Sequence, residues 1–241
     1  MAAPPIFDVR LESATMLSPN VRELRFVRLD QGPMAHAPGQ WVSLILPLAE
    51  GEVRRSYSIA SPPRADGSFE VAITHVNGGP GSTYLHAMEP GQTLRAIGPQ
   101  GLFLRTPNVG PSLFVATGTG VTPLRSMLHA ALDAGETNRM TLIFGVRTEA
   151  DRLYQDELRA LSAKHPHFHA EYTLSRPGDA WQGRHGYVQT HVRELYDQLA
   201  QGGATPHVYI CGLKKMIDGV RELLKNDMQL PRQQVHSERY D

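Results

Sequence analysis

The spacing of apolar residues changes near residue 107, and this change constrains how the chain can fold. Before it, short alternating or β-branched runs are separated by proline and glycine, a pattern typical of antiparallel strands. Strands are predicted at residues 7–11, 21–29, 41–46, 53–60, 69–76 and 93–97, with a short helix at 82–88 after the glycine-rich turn at 78–81. We therefore expect the N-terminal part to form a six-stranded antiparallel β-barrel.

From Pro107 onward, an apolar strand alternates with a longer helical stretch. Strands are predicted at 113–116, 141–146, 168–174 and 208–210, and helices at 124–134, 153–163, 188–199 and 216–228. This alternation predicts an α/β domain in which helices cover both faces of a parallel sheet. Pro107, Gly110 and Pro111 interrupt both patterns, so we place two domains at residues 1–108 and 109–241.

Charge and cysteine content exclude several kinds of partner. The 24 Lys and Arg residues balance the 24 Asp and Glu residues, which removes the attraction that binding to nucleic acid or an anionic membrane usually needs. Cys211 is the only cysteine, so neither an intrachain disulfide nor a four-cysteine iron–sulfur cluster can form. Apolar runs such as 41–48 are too short to span a bilayer, and the N-terminal residues show no secretion signal. We therefore expect a soluble cytoplasmic protein.

A glycine turn, Gly-Thr-Gly-Val-Thr-Pro at residues 118–123, follows the first strand of the second domain and opens a helix. The free N–H groups at such a helix start could face a pyrophosphate. The turn could equally serve only to provide positive φ between a strand and a helix, and its spacing differs from GxGxxG. Taken alone, it leaves both interpretations open.

Four further segments surround this turn in a fixed order: Arg-Ser-Tyr-Ser at 55–58, Gly-Pro-Gly-Ser at 79–82, Gly-Pro-Gln-Gly at 98–101 and Tyr-Ile-Cys-Gly at 209–212. Together they closely resemble the ferredoxin–NADP reductase family, over about residues 7–241. The resemblance implies an enzyme that passes electrons from NADPH through FAD to a one-electron carrier protein such as ferredoxin or flavodoxin. It also implies that the first domain binds FAD and the second binds the nicotinamide dinucleotide.

In that family the Arg-x-Tyr-Ser strand holds the flavin. The resemblance places Arg55 on the FAD pyrophosphate, Tyr57 against the isoalloxazine ring and Ser58 near its N5 edge, contacts that suit a guanidinium, a flat phenol and a small hydroxyl. It also places the short helix on the phosphates, which favours FAD over FMN. The residues implied there are Gly81, Ser82 and Thr83, with His75 and Val76 beside them through their backbone. Ser82 could also cap the helix, or do only that.

The resemblance similarly implies how the nucleotide is held. It places the dinucleotide over Gly118, Thr119, Gly120 and Thr122, facing Cys211 and Gly212. A small, polarizable thiol can touch the nicotinamide ring without bonding to it. A 2′-phosphate requires cationic side chains. Arg147, Ser175, Arg176 and Arg184 resemble the positions that clamp this phosphate, which favours NADPH over NADH.

The C-terminal segment at 237–241 resembles the ending of plant-type members, which is a glutamate, any residue and a terminal tyrosine. The resemblance implies that Glu238 and Ser58 move or stabilise a proton near the flavin. It implies that Tyr240 stacks on the flavin until the nicotinamide displaces it. Asp241 extends one residue beyond the expected end, and a frayed polar terminus is the alternative. The expected catalytic groups are Ser58, Cys211 and Glu238.

Two other functions remain open from the sequence. One is an NADH-dependent reductase component of an oxygenase system, and the other is a flavin or nucleotide sensor without turnover. The groups expected around the hydride path favour an enzyme over a sensor. His165, His167 and His169 alternate as metal ligands on a strand would, but Pro166 disfavours a regular strand there. We therefore predict an exposed loop and no metal site.

Overall fold

The structure is a computed structural model that describes residues 4–30, 32–107 and 109–240. It divides into two compact units. The first contains the residues up to Leu104 together with Arg125–Ala130, and the second contains Arg105–Leu124 and the residues from Ala131 onward. A domain limit at residue 108 stays a prediction.

An antiparallel sheet of six strands forms the first unit, in the order β4-β3-β6-β1-β2-β5. Every pairing is antiparallel. Helix α1 (Pro80–Ala87) lies between the last two strands along the chain. The strands are β1 (Ile6–Ser18), β2 (Val21–Arg28), β3 (Trp41–Leu48), β4 (Gly51–Ser58), β5 (Phe69–Thr74) and β6 (Thr93–Gln100). The predicted antiparallel architecture with its inserted helix is confirmed.

The core of this unit follows from the alternation of apolar residues. In β1, Phe7, Val9 and Leu11 are buried while their neighbours are exposed, because successive side chains of a strand point to opposite faces. Phe26 and Phe69 stack at the centre with ring centroids 5.8 Å apart. Each such aromatic side chain contributes roughly 1.5–3 kcal/mol by leaving water. This core gives β4 and α1 a rigid support.

The second unit contains a parallel sheet of six strands in the order β10-β9-β8-β7-β11-β12. The strands are β7 (Ser112–Thr117), β8 (Met140–Val146), β9 (Phe168–Leu174), β10 (Arg184–His185), β11 (His207–Leu213) and β12 (Val235–Tyr240). The helices are α2 (Val121–Asp133), α3 (Gln155–Lys164), α4 (Val192–Leu199) and α5 (Lys214–Glu222). The predicted parallel α/β architecture is confirmed.

Helices cover this sheet through apolar stripes. In α4, the buried residues Val192, Leu195, Tyr196 and Leu199 recur at the i, i+3, i+4, i+7 spacing of one helix face. They pack against β7 and β11, whose nearly continuous burial is typical of a parallel sheet covered on both sides. Parallel strands place all their carboxyl ends at one edge, where the loops that carry the predicted nucleotide contacts begin.

Several boundaries differ from the sequence prediction. Helix α2 begins directly after a 3-10 turn at Gly118–Gly120, earlier than predicted. The predicted fourth strand is present as β11, but the predicted helix at 216–228 divides into α5 and a π-helical turn, Leu223–Asp227. Residues 188–191 form a 3-10 turn and cap before α4. Strands β10 and β12 were not predicted, because neither shows an apolar pattern.

Candidate functional site

The first candidate site lies where β4 meets α1. Arg55 and Tyr57 are alternate residues of β4 and therefore face the same side of the sheet. Gly81, in the first turn of α1, is buried, and a Cβ there would lie 3.1 Å from Leu46 Cδ1 and 3.4 Å from Arg55 Cγ. The exposed Arg55 side chain therefore packs directly against the start of the helix.

Two backbone donors accompany Arg55 at this helix start. The first intrahelical hydrogen bond runs from the Thr83 N–H to the Gly79 carbonyl, at 3.0 Å. The N–H groups of Gly81 and Ser82 lie before it and therefore make no hydrogen bond within α1. Helix N-termini and a guanidinium both attract phosphate. The structure thus brings two of the predicted pyrophosphate contacts together, and a side chain at Gly81 would require the Leu46 side chain to shift.

Ser82 shapes the turn that leads into this helix. Its Oγ accepts the Val76 N–H at 3.0 Å and donates to the Gly79 carbonyl at 3.0 Å. The N-cap of α1 is Gly79, so the alternative in which Ser82 caps the helix does not apply. Thr83 is exposed, and the half-buried His75 ring meets the His86 ring edge-on at 5.1 Å. Their contacts with FAD stay predictions.

Tyr57 and Ser58 end the same strand. Tyr57 is half-buried and packs against the core of the first unit. Burial raises the pKa of Tyr57 to about 12, although the Arg55 charge opposes the shift, so the phenol stays neutral at physiological pH. Ser58 is 5% exposed. A neutral flat ring beside a cationic side chain suits the flavin contact expected for this strand.

Sequence reasoning missed one residue that supports α1. The Arg22 guanidinium, on β2, donates to the carbonyls of Leu85 and His86 at the carboxyl end of the helix. A cation at this end satisfies unpaired carbonyls and complements the helix dipole. No local signal identifies this contact, since more than sixty residues separate its partners in the sequence.

The second candidate site lies at the carboxyl ends of β7 and β11. A Cβ at Gly120 would lie 2.3 Å from the Cys211 carbonyl oxygen, and a Cβ at Gly212 would lie 2.2 Å from Thr117 Oγ1. Gly118 and Gly212 also have positive φ, +54° and +148°. The glycine turn and the Cys-Gly segment are thus in direct backbone contact, an approach that only glycine permits.

Tyr240 covers this contact. Its hydroxyl lies 3.1 Å from Thr122 Oγ1 and hydrogen-bonds to the Cys211 side chain. Thr122 donates its only hydroxyl proton to the Thr119 carbonyl at 2.8 Å, so Tyr240 is the donor in its hydrogen bond to Thr122. A chain of hydrogen bonds therefore links Cys211 to the glycine turn through the phenol. Asp241 lies outside the described residues.

Cys211 and Glu238 are neighbours across two strands. Their Cα atoms are paired in the parallel register of β11 and β12. Cys211 is fully buried. Burial, reinforced by the Glu238 charge, raises the pKa of the Cys211 thiol well above its usual value, so the side chain is a neutral thiol rather than a nucleophilic thiolate.

The predicted phosphate clamp is distributed over the loops after β8 and β9. Arg147 and Arg176 are exposed, and the Arg176 N–H donates to the Arg147 carbonyl at 2.8 Å. Ser175 adjoins them through its N–H, which donates to the Val146 carbonyl at 3.1 Å. The two arginines therefore project from adjoining backbone segments.

Arg184 has a different environment. Its guanidinium forms an ion pair with Glu171 and two bonds to Glu194 at 2.7 and 2.9 Å. Hydrogen bonds to Glu194 and Glu171 raise the pKa of Arg184 despite its partial burial. These two carboxylates outweigh the single positive charge, so the local field disfavours a phosphate.

The described residues contain neither a metal-binding cluster nor a membrane-spanning helix. Among the described residues, no group of three His, Cys, Asp or Glu side chains is placed to hold a metal ion. His169 lies in β9, and the Phe168 N–H donates to the His165 carbonyl at 2.8 Å, closing the turn that leads into this strand. Within the described ranges, no helix combines the length and apolar content needed to cross a bilayer.

Comparison with known proteins identifies the family. Residues 8–104 match the oxidoreductase FAD-binding domain, and residues 114–222 match the oxidoreductase NAD-binding domain. Over 238 residues the chain is 55% identical to ferredoxin–NADP reductase B of Sorangium cellulosum, covering 98% of each chain. The chain belongs to the ferredoxin–NADP reductase family. It is an oxidoreductase that uses FAD and a nicotinamide dinucleotide.

More distant relatives span several electron-transfer systems. The reductase component of phenol 2-monooxygenase from a Pseudomonas strain is 34% identical over 89% of this chain, which spans only 60% of that protein. The fold matches Plasmodium falciparum ferredoxin–NADP⁺ reductase with a TM-score of 0.81 at 23% identity, covering 98% of this chain and 96% of that one. It also matches the CS-b5R domains of human Ncb5or with a TM-score of 0.86 at 21% identity, covering 98% of this chain and 70% of that one.

Proposed function

We propose that this chain takes electrons from NADPH and delivers them, through FAD, to a one-electron carrier protein such as ferredoxin or flavodoxin. The observation that carries the proposal is the contact between the glycine turn and the Cys-Gly segment, with Tyr240 hydrogen-bonded over both. This arrangement supports the proposal that Tyr240 is a displaceable aromatic ring at the nicotinamide position. Identity to a ferredoxin–NADP reductase over nearly the full length of both chains supports the same function.

The residues at the start of α1 fit FAD. Arg55 and the N–H groups of Gly81 and Ser82 would hold its pyrophosphate, and Tyr57 would contact its ring system. When bound, FAD would supply the chemistry that converts a two-electron hydride transfer from the nicotinamide into single-electron transfers. The protein's part is to orient the two rings and to exclude water around them.

Three side chains are proposed to act at the reacting atoms. Cys211, neutral because its thiol pKa is raised, would contact the nicotinamide without attacking it. Glu238, paired in register with Cys211, would carry or stabilise a proton. Ser58, at the end of β4, would donate a hydrogen bond near the flavin edge.

The preference for NADPH is proposed to depend on Arg147, Ser175 and Arg176. Both arginines are exposed at adjoining loops, and each charge-assisted bond to a phosphate contributes about 1.5–3 kcal/mol. Arg184 was also expected in this clamp. Because Glu171 and Glu194 already engage its guanidinium, we propose that it stabilises β10 instead.

The alternative function is that of an NADH-dependent reductase component of an oxygenase, as in the phenol 2-monooxygenase relative. The exposed Arg147 and Arg176 favour NADPH over this alternative. A cytoplasmic location belongs to the same proposal. The sensor hypothesis would require the redox groups to be present without turnover.

The decisive experiment is anaerobic stopped-flow reduction of the purified flavoprotein by NADPH and by NADH, followed by acceptor profiling. We expect acid-released FAD, faster reduction by NADPH at low nucleotide concentration, and rapid reoxidation by ferredoxin or flavodoxin. Preferential reduction by NADH together with reoxidation only by an oxygenase component would support the alternative. Bound flavin that neither nucleotide reduces would indicate a sensor.

A further inference from the structure

The loops after β8 and β9 each carry one arginine of the proposed phosphate clamp, and a set of contacts joins the two loops. Besides the backbone bond between Arg176 and Arg147, the Gly178 N–H donates to Glu149 Oε1 at 3.0 Å. A carboxylate that accepts a backbone N–H gives a stronger bond than a neutral acceptor. Glu149 thus ties the second loop to the first.

The turn that presents Glu149 is itself fixed. Asp151 Oδ2 accepts both the N–H and the hydroxyl of Thr148, at 3.0 and 2.9 Å. Arg152 Nε donates to the Glu149 carbonyl at 3.0 Å. The Glu149 side chain therefore projects from a rigid turn. Glu149 follows Thr148 directly and lies two residues after Arg147.

Trp181 closes the other end of the second loop. Its indole N–H donates to the Arg184 carbonyl at 2.9 Å, and a Cβ at Gly183 would lie 2.3 Å from its ring, so the ring packs directly on backbone. The Arg152 guanidinium carbon lies 5.2 Å from the centroid of this ring, within the range of a cation–π contact. Arg152 therefore bonds to the first loop and packs on the second.

We propose that Glu149, Arg152 and Trp181, here named the β8–β9 clasp, are positioning residues that fix the spacing of Arg147 and Arg176 and thereby set the selectivity for a 2′-phosphate. The inference rests on the proposed phosphate clamp. Two guanidinium groups bind one phosphate well only if both reach it in good geometry, because charge-assisted hydrogen bonds weaken steeply with misalignment. None of the three clasp residues needs to touch the nucleotide.

Substitutions of Glu149 distinguish the clasp from an effect of net charge alone. If only net charge mattered, Glu149→Ala would remove a negative charge near the phosphate and strengthen binding. The clasp requires the opposite, because the loop that carries Arg176 loses its anchor at Gly178. In Glu149→Gln the amide oxygen can still accept the Gly178 N–H, so selectivity should survive although the charge is gone.

The test is calorimetric titration of the full-length, FAD-loaded protein with adenosine 2′,5′-bisphosphate and with 5′-AMP, which needs no turnover. We expect Glu149→Ala and Trp181→Leu to weaken bisphosphate binding by about tenfold, the loss of one charge-assisted bond, and 5′-AMP binding by less than about twofold. Glu149→Gln should retain the wild-type ratio. Asp156→Ala, which removes an exposed carboxylate from the first turn of α3, serves as the matched control and should leave both affinities unchanged.

The outcomes distinguish the two levels of inference. If the wild-type protein binds both probes equally, the proposed phosphate clamp fails. If wild type prefers the bisphosphate but Glu149→Ala and Trp181→Leu keep that preference, the clasp is overturned while the clamp stands. A parallel loss of affinity for both probes would assign the three residues a structural role only. Each of the two variants tests the clasp independently, so poor folding of one leaves the other decisive.

Discussion

A quantitative prediction about nucleotide affinity follows from the hydrogen bonds of Tyr240. In this structure the phenol bridges Thr122 and Cys211, over the turn that we propose holds the nicotinamide. If nucleotide binding displaces the phenol, these bonds must break first. Tyr240→Phe removes both bonds and keeps the ring, so it isolates their contribution.

The expected magnitude follows from the two bonds. A neutral hydrogen bond contributes about 0.5–1.5 kcal/mol net of water, and one to a thiol falls at the low end of that range. Their sum is about 1–2 kcal/mol, which corresponds to binding tighter by roughly five- to thirtyfold. NADP⁺ and NAD⁺ should gain by the same factor, because both displace the same phenol. Tyr240→Ser also removes the ring contact and should add about 0.5–1.5 kcal/mol.

Titration of the oxidised flavoprotein with NADP⁺ and NAD⁺, followed by flavin absorbance, measures these affinities without turnover. Thr122→Val provides the partner for a double-mutant cycle, since the two substitutions should not be additive if they break the same bond. Dissociation constants that stay at wild-type values in both Tyr240→Phe and Tyr240→Ser would refute the displacement argument. Tighter binding in Tyr240→Ser alone would assign the effect to the ring and not to the hydroxyl.

Four further substitutions test other parts of the structure. Arg176→Ala should raise the KM for NADPH about tenfold or more and leave the KM for NADH nearly unchanged, as steady-state kinetics with both nucleotides would show. Arg184→Ala should instead lower the free energy of unfolding by about 1–2 kcal/mol, as thermal melts would show. Gly120→Ala should abolish nucleotide binding and retain FAD, because its Cβ would collide with the backbone of β11, as checked by titration and flavin absorbance. Glu70→Gln should cost about 3–5 kcal/mol in urea unfolding, because it leaves the buried guanidinium of Arg125, now 2.9 Å from Glu70 Oε2, without its counterion.

The Glu70 pair also gives a pH dependence. Burial alone would raise the pKa of Glu70, but the charges and hydrogen bonds of Arg125 and Arg64 outweigh burial and lower it. A lowered folded-state pKa means that the stabilisation is present above the unfolded value of about 4.5 and is lost as the pH falls through the folded value. Unfolding free energies measured between pH 7 and pH 3 should therefore fall more steeply for wild type than for Glu70→Gln. Equal slopes would contradict this assignment.

Much of the fold was predictable because its signals are local. The alternation in β1 and the four-residue stripe of α4 each follow from side-chain periodicity within one element. The glycine requirement at residues 118–120 was also visible as a motif. Its physical reason was not, because the Cys211 carbonyl that excludes a side chain from Gly120 lies about ninety residues away in the sequence.

Contacts that depend on distant partners could not be predicted in this way. Arg184 has the same charge as Arg147 and Arg176, and sequence alone assigned all three to one clamp. Its position opposite Glu171 on β9 and Glu194 on α4 becomes visible only once the sheet is assembled. Strand β12 similarly has the polar sequence Val-His-Ser-Glu-Arg-Tyr, and it is a strand because β11 offers a free edge for pairing.

The position of Tyr240 at the end of β12 explains why its displacement should cost little. Leu213 and Tyr240 are the last pair in the register between β11 and β12, so the ring can leave without unpairing the residues that hold Glu238 beside Cys211. Strand ends open at low free energy compared with strand centres. The cost of opening is therefore limited mainly to the two side-chain hydrogen bonds and the ring contact, and Glu238, the proposed proton carrier, stays in place while the aromatic ring moves.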